Sequence, residues 1–261
     1  MRDEEFRYLY ELEERFWWFR GMRAIAAALL APLRPALRGA RVADIGCGTG
    51  YMLGWLAEWT GRPVVGLDFA GEGLAFARDR GATLLVRGSA AELPFPDASF
   101  DLVTSFEVLD ELPDDSPGFA EIARVLAPGG HVLLRLPALE LLRSRHDRAM
   151  HTARRTTVPA LAAKLAAHGL VVERSTYANT VLFPPIAAVR LARRMLPGEG
   201  AKGSDVRPLP PALGWLEELL YGCLAAEARF LARPGAALPI GVSALSLARK
   251  PARPGAAATG R

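Results

Sequence analysis

Short apolar segments of strand length alternate with helix-like segments along most of the chain. The apolar segments cover residues 40–45, 63–68, 82–86, 101–106, 130–136, 170–178 and 242–250. This alternation is typical of a mainly parallel sheet with helices on both faces. We therefore predict an α/β fold built on a seven-stranded sheet. In such sheets, ligands bind beyond the carboxyl ends of the strands.

Breaks in the alternation divide the chain into five segments. We predict an N-terminal helical cap at 1–37, a core at 38–182, a helical insertion at 183–237, the last strand of the core at 238–251 and a disordered tail at 252–261. Within the cap, helices are predicted at 3–17 and 21–33, and within the insertion at 185–196 and 211–232. The insertion is interpreted as an elaboration before the last strand or as a lid over the site. An alternative places residues 184–196, which carry three arginines, on an anionic membrane surface.

The composition limits the classes of function. The chain has 261 residues, of which 51% are hydrophobic, and a net charge of +4. This charge is too modest to indicate nucleic acid, and no apolar run has the length of a transmembrane helix. With only Cys47 and Cys223, we expect neither a disulfide framework nor a metal site. A charged N-terminus and few cysteines favour the cytoplasm, and the oligomeric state stays open.

Three glycines follow the first predicted strand in the stretch VADIGCGTG. Gly46, Gly48 and Gly50 would let a ligand approach the main chain closely. Their spacing is one residue shorter than the G-x-G-x-x-G pattern of dinucleotide sites. Asp44 would repel a diphosphate and attract an ammonium group. The stretch therefore indicates a ligand that is cationic at this end, which argues against a nicotinamide-dependent oxidoreductase.

The glycine stretch and three later segments together resemble the class I S-adenosylmethionine-dependent methyltransferases. The later segments are GLDFA, RGSAAELPFPDASFDLVTSFEVLDELPD and EIARVLAPGGHVLLRLP. The resemblance covers roughly residues 40 to 180 and is strongest to the branch of bacterial small-molecule methyltransferases. It implies a Rossmann-like methyltransferase sheet, S-adenosylmethionine as cofactor and S-adenosylhomocysteine as product.

The resemblance also implies which residues bind the cofactor. Asp44 would hold the amino group, Asp68 the ribose and Phe69 the adenine. The full set of expected cofactor residues is Asp44, Gly46, Cys47, Gly48, Gly50, Asp68, Phe69, Ser89, Ala90, Ser105 and Phe106.

Two departures from the family pattern affect these expectations. Ser89 stands where the family often has an aspartate that binds the adenine amino group. Asp110 and Glu111 stand where the family often has Glu-His, so this position supplies no imidazole. A protein that binds the cofactor without catalysis is therefore an alternative. A nucleic-acid methyltransferase is disfavoured, because SFEV stands where an Asn/Asp-Pro-Pro-Tyr motif would be expected.

The segment after the fifth strand supplies a candidate base, His146, with Asp147 to orient it. Residues 140 to 155 contain five arginines and two histidines against two acids, so this loop is either a basic rim for an anionic acceptor or an ordinary solvated loop. Histidine suits proton transfer near neutral pH. Arg145 and Glu107 are weaker candidates for substrate binding.

The aromatic stretch FWWFRGMR has two interpretations. It docks the first helix on the core, or it forms a lid in which Trp18 and Arg20 contact the acceptor. The function predicted from all these features is methyl transfer to a small-molecule acceptor, with oxygen favoured over nitrogen or carbon. A lipid-linked or phosphorylated acceptor is the alternative substrate class.

Overall fold

The computed structural model describes residues 3–144, 147, 152–195, 210 and 213–252. We number its α-helices as α1 Asp3–Leu12, α2 Trp17–Leu30, α3 Tyr51–Thr60, α4 Gly71–Asp79, α5 Ser116–Val125, α6 Val158–Ala167, α7 Phe183–Met195 and α8 Gly214–Leu231. The strands are β1 Val42–Ile45, β2 Val65–Asp68, β3 Leu84–Arg87, β4 Phe100–Phe106, β5 Leu126–Pro137, β6 Val171–Ala178 and β7 Ser243–Arg249.

The seven strands form one sheet in the order β3-β2-β1-β4-β5-β7-β6. All neighbouring pairs are parallel except those of β7, which is antiparallel to β5 and β6. The prediction of a seven-stranded α/β sheet is confirmed. The strand order reverses between β1 and β4, so the carboxyl ends of these two strands border the crevice where such folds bind ligands.

Two apolar cores lie on opposite faces of the sheet. On one face, α2, α3 and α8 bury side chains such as Ile25, Leu56 and Leu224. On the other face, α5 and α6 bury Phe119 and Leu161. All four residues of β1 are buried, because helices cover both of its faces.

The boundaries of the cap differ from those predicted. The first helix ends at Leu12, not at residue 17, and α2 begins at Trp17 instead of residue 21. Phe16 has an extended backbone and a buried side chain, so it occupies the turn between the helices. The continuous aromatic run carries no helical period that could have placed this turn.

The insertion contributes a helix that packs along the cap. On α8, Leu224 meets Gly21 of α2, and Glu218 accepts a 2.6 Å hydrogen bond from Arg20. The buried carboxylate of Glu227 accepts hydrogen bonds of 2.7–2.8 Å from the backbone N–H groups of residues 179–181, at the end of β6. None of the described helices is both long enough and apolar enough to cross a membrane.

The contact between α2 and α8 depends on a glycine. A Cβ at Gly21 would lie 2.3 Å from Leu224 Cδ1 and 2.5 Å from its Cβ. We expect Gly21→Ala to lower the free energy of unfolding by about 1–3 kcal/mol through overpacking, measured by urea denaturation. Gly222→Ala is the matched control, because a Cβ there meets nothing within 4 Å. It should raise stability by about 0.5–1 kcal/mol, and equal effects of the two changes would contradict this account.

Candidate active site

The three glycines of the loop between β1 and α3 all have left-handed backbones, with φ of +78°, +51° and +78°. Two of them are packed against side chains. A Cβ at Gly46 would lie 2.0 Å from Val108 Cγ2, and one at Gly50 would lie 2.8 Å from Ala77 Cβ. A Cβ at Gly48 would have no described atom within 4 Å. Gly48 is therefore the glycine that leaves space for a ligand.

Asp44 lies at the carboxyl end of β1 and is buried. Its Oδ1 accepts a 2.6 Å hydrogen bond from Thr104 Oγ1 on the neighbouring strand β4. Burial raises the pKa of Asp44 to about 6, although the bond from Thr104 lowers it. The negative charge of Asp68 raises it further. A buried carboxylate of this kind favours a cationic ligand group.

Asp68 ends β2 and connects the glycine loop to α4. Its carboxylate oxygens accept hydrogen bonds of 2.7 Å from Gly48 N and 2.8 Å from Ala70 N. Burial raises the pKa of Asp68, while these backbone bonds lower it. Each oxygen retains a further lone pair that can accept a ligand hydroxyl.

The other predicted cofactor residues lie around this edge. The Phe69 side chain is 75% exposed, and Ser89 Oγ accepts a hydrogen bond from Ala91 N next to buried Ala90. Cys47 is buried beside Gly66 of β2. Its thiol therefore packs into the core, and only its backbone contributes to the glycine loop.

Ser105 and Phe106 end β4, on the other side of the glycine loop. The Ser105 hydroxyl is buried without a hydrogen-bond partner among the described residues. An open glycine, an unpartnered hydroxyl and two neighbouring carboxylates fit a nucleoside cofactor that carries ammonium and hydroxyl groups. No group of side chains in the described part of the chain has the arrangement of a metal site.

Strands β4, β5 and β6 are each followed, within two residues, by a non-glycine residue with a left-handed backbone. These residues are Glu107, Leu139 and Asn179, with φ of 60°, 60° and 61°. Each such conformation costs about 1–3 kcal/mol, and they cluster at functional sites. The three lie at the same edge as the glycine loop, which makes this edge the candidate active site.

An arginine that sequence reasoning missed lies beside the loop. Arg135 is on β5, and its guanidinium carbon is 4.9 Å from the ring centres of both Trp18 and Phe106. Its Nε is 3.4 Å from Glu107 Oε1, yet has no hydrogen bond to any residue the structure describes. A charged residue inside an otherwise apolar strand was the available signal. The geometry brings the predicted substrate residues Trp18 and Glu107 together around Arg135.

Arg20 has a different environment from the one expected of a substrate-binding residue. Its guanidinium donates to both carboxylate oxygens of Glu218 and lies 4.0 Å from the ring centre of Tyr221. These contacts join the N-terminal halves of α2 and α8, so they favour a packing role for Arg20.

The candidate base His146 and its neighbour Arg145 lie outside the described residues. Asp147 is buried, and its carboxylate accepts 2.7 Å hydrogen bonds from Arg155 Nε and Ser144 N. Burial raises the pKa of Asp147, but Arg155, the Ser144 N–H group and the charge of Arg190 together bring it below its usual value. These contacts favour a structural role for Asp147, which holds Ser144 and Arg155 of the segment after β5 together. Its role as the orienter of His146 stays a prediction.

Asp110 lies where an acid precedes the family's histidine, and its side chain is buried. It is only 2% exposed, and its Oδ1 has no partner among the described groups. Burial, with the charges of Glu107 and Glu111, raises its pKa to about 8. The carboxyl group is therefore mostly neutral at pH 7.

The raised pKa of Asp110 predicts a pH dependence of stability. Its folded pKa of about 8 lies above the ordinary value of 3.8, so its contribution is fully present below pH 3.8 and is lost as pH rises to about 8. We expect the stability of the wild type relative to Asp110→Asn to fall across this window and then level off. Urea denaturation at several pH values measures this difference, and a constant difference would contradict a raised pKa.

A sequence profile described as a methyltransferase domain matches residues 43–134. A probable S-adenosylmethionine-dependent methyltransferase of Mycolicibacterium smegmatis is 37% identical over 127 residues, which are 48% of each chain. A fatty-acid O-methyltransferase of the same organism is 40% identical over 102 residues, which are 37% of each chain. The matched segments thus span about half or less of these curated relatives.

Solved structures share the fold. A sarcosine dimethylglycine methyltransferase structure from Galdieria sulphuraria matches with a TM-score of 0.58 and 18% identity, covering 88% of this chain and 86% of that chain. A Haloferax volcanii methyltransferase in complex with the activator Trm112 matches with a TM-score of 0.59 and 22% identity, over 93% and 92% of the two chains. Residues 43–134 thus match a methyltransferase domain family, and the two structural matches show a shared fold.

Proposed function

We propose that this protein transfers a methyl group from S-adenosylmethionine to an oxygen atom of a small-molecule acceptor. The observation that carries the proposal is Gly48, where an added Cβ would meet nothing within 4 Å and whose N–H donates to Asp68 at the carboxyl edge of the sheet. The curated relatives include a fatty-acid O-methyltransferase and a 27-O-demethylrifamycin SV methyltransferase from Amycolatopsis mediterranei. Their names support an oxygen acceptor.

The residues at this edge suit the two ends of the cofactor. Asp44 would accept a hydrogen bond from the ammonium group of the cofactor, and Asp68 would accept hydrogen bonds from its ribose hydroxyls. Ser105 Oγ would form a hydrogen bond with its methionine part. Phe69, Ser89 and Ala90 would border the adenine. When bound, the cofactor supplies a methyl group that is activated by the positive charge on sulfur. The protein's contribution is then to position the acceptor and to exclude water.

Arg135 supports an acceptor that carries negative charge. Its guanidinium contacts two aromatic rings and pairs with Glu107 at 3.4 Å without a hydrogen bond, so a carboxylate or phenolate that displaces Glu107 could pair with it. An acceptor oxygen that is already ionised needs no general base, which suits the missing imidazole at position 111. For an acceptor that must lose a proton, His146 remains the proposed base.

Calorimetric titration with S-adenosylhomocysteine, with NADH as the control ligand, tests cofactor binding. We expect micromolar binding of S-adenosylhomocysteine alone. Binding of NADH alone, or of neither ligand, would contradict the proposal. Binding without turnover across a broad acceptor panel would favour the alternative of a cofactor-binding protein without catalytic activity.

Two glycine variants locate the site within this titration. We expect Gly48→Ala to weaken S-adenosylhomocysteine binding at least tenfold, or about 1.4 kcal/mol, because its methyl group would enter the ligand space. Gly61→Ala is the matched control, since Gly61 is also left-handed, at φ +69°, and a Cβ there meets nothing within 4 Å. It should destabilise the fold without changing the dissociation constant. Equal affinities of the two variants would place the cofactor elsewhere.

Variants of Arg135 test the charge of the acceptor. We expect the carboxylic acids to be methylated in a panel of carboxylic acids, phosphorylated compounds and matched alcohols. The amount of S-adenosylhomocysteine released measures the methylation. Arg135→Met should raise KM for the acid about tenfold or more, and Arg135→Lys should restore part of the loss. Binding of S-adenosylhomocysteine should stay within twofold in both variants. An unchanged KM in Arg135→Met, or a preference for alcohols, would refute the role of Arg135.

A further inference from the structure

The N-terminal helix α1 lies outside the segment that matches the methyltransferase family, yet the turn that follows it reaches the glycine loop. The family match begins at residue 43, whereas α1 covers Asp3–Leu12. Glu13 follows directly and is buried. Its carboxylate accepts a hydrogen bond from the hydroxyl of Thr49, which is also buried. Thr49 stands between Gly48 and Gly50, so this bond attaches the end of α1 to the cofactor loop.

Arg80, at the end of α4, holds Glu13 from a second direction. Its Nη2 lies 3.0 Å from Glu13 Oε2 and also donates to the carbonyl oxygen of Tyr10 at 2.8 Å. Its Nη1 donates to Glu14 Oε1 at 2.6 Å. The Glu13 carboxylate is therefore fixed between α4 and the glycine loop, and it is well placed to orient Thr49.

A second contact supports the glycine loop from the same side. A Cβ at Gly73 of α4 would lie 2.9 Å from Phe6 Cε1 and 3.1 Å from the carbonyl oxygen of Gly48. Helix α1, helix α4 and the loop are thus in close contact at two points. One point is the backbone of Gly48 and the other is the side chain of the next residue, Thr49.

We propose that Glu13 is a positioning residue for the cofactor, which acts through Thr49 to hold the glycine loop in its binding geometry. Helix α1 is then a brace for the cofactor site. The inference rests on the proposed function, because it concerns the same cofactor. Coupling between two sites is reciprocal, so cofactor binding must in turn stabilise the brace.

The test measures S-adenosylhomocysteine affinity of the full chain by calorimetry for four variants. Thr49→Val and Glu13→Ala each remove the bond, and each should weaken binding about tenfold. The double variant should bind no more weakly than either single variant, because each single change already removes the same hydrogen bond. Thr49→Ser keeps the hydroxyl and should bind within threefold of the wild type.

Glu14→Ala is the control for the ion pairs of Arg80. It removes the exposed partner of Arg80 and leaves the bond between Glu13 and Thr49 in place, so affinity should stay within twofold. Circular dichroism at the titration temperature establishes that each variant is folded.

Hydrogen exchange separates positioning from simple stabilisation. In the wild type, S-adenosylhomocysteine should slow amide exchange in peptides that cover residues 6–16, and in Thr49→Val this protection should be lost. The proposal is overturned if folded Thr49→Val and Glu13→Ala bind within twofold of the wild type, or if their effects multiply in the double variant. A wild type that binds no S-adenosylhomocysteine refutes the proposed function itself, which is a different result.

Discussion

The carboxylate of Asp68 connects the elements that make up the candidate active site. It accepts one hydrogen bond from the N–H group of Gly48 in the loop after β1 and another from that of Ala70, directly before α4. Because one side chain binds both backbone groups, the end of β2, the glycine loop and α4 are held in a single arrangement. Gly50 then packs on α4, and the turn after α1 contacts both the loop and α4. The geometry of the cofactor loop thus depends on side chains from three other segments.

The charges at the carboxyl edge of the sheet have both signs. Asp44 and Asp68 lie around the glycine loop and make that side negative, which suits a ligand with ammonium and sulfonium groups. Arg135 contacts the rings of Phe106 and Trp18, lies 3.4 Å from Glu107, and its positive charge lowers the pKa of Asp44. Such an arrangement can bind a cation and an anion next to each other. The proposed reaction, in which a sulfonium cofactor meets an ionised oxygen, requires such an arrangement.

Sequence patterns predicted the sheet well because each strand is a short apolar run bounded by polar or glycine residues. They also predicted that all three glycines of the loop face a ligand, whereas Gly46 and Gly50 are packed against Val108 and Ala77. Contacts between distant residues could not be predicted in this way. Glu13 has the pattern of a surface charge on an amphipathic helix, and only the fold brings it to Thr49. In the same way, nothing in the sequence pairs Asp147 with Arg155.

The packing of Gly50 against Ala77 restricts which sequences can carry this loop. A side chain at position 50 would collide with both Cα and Cβ of Ala77, at 2.9 and 2.8 Å. Any larger residue at position 77 would in turn be directed at the loop. Since one of the colliding atoms is the Cα of residue 77, no substitution at position 77 makes room for a side chain at position 50 unless α4 itself moves. Redesign of the cofactor loop should include α4 from the start.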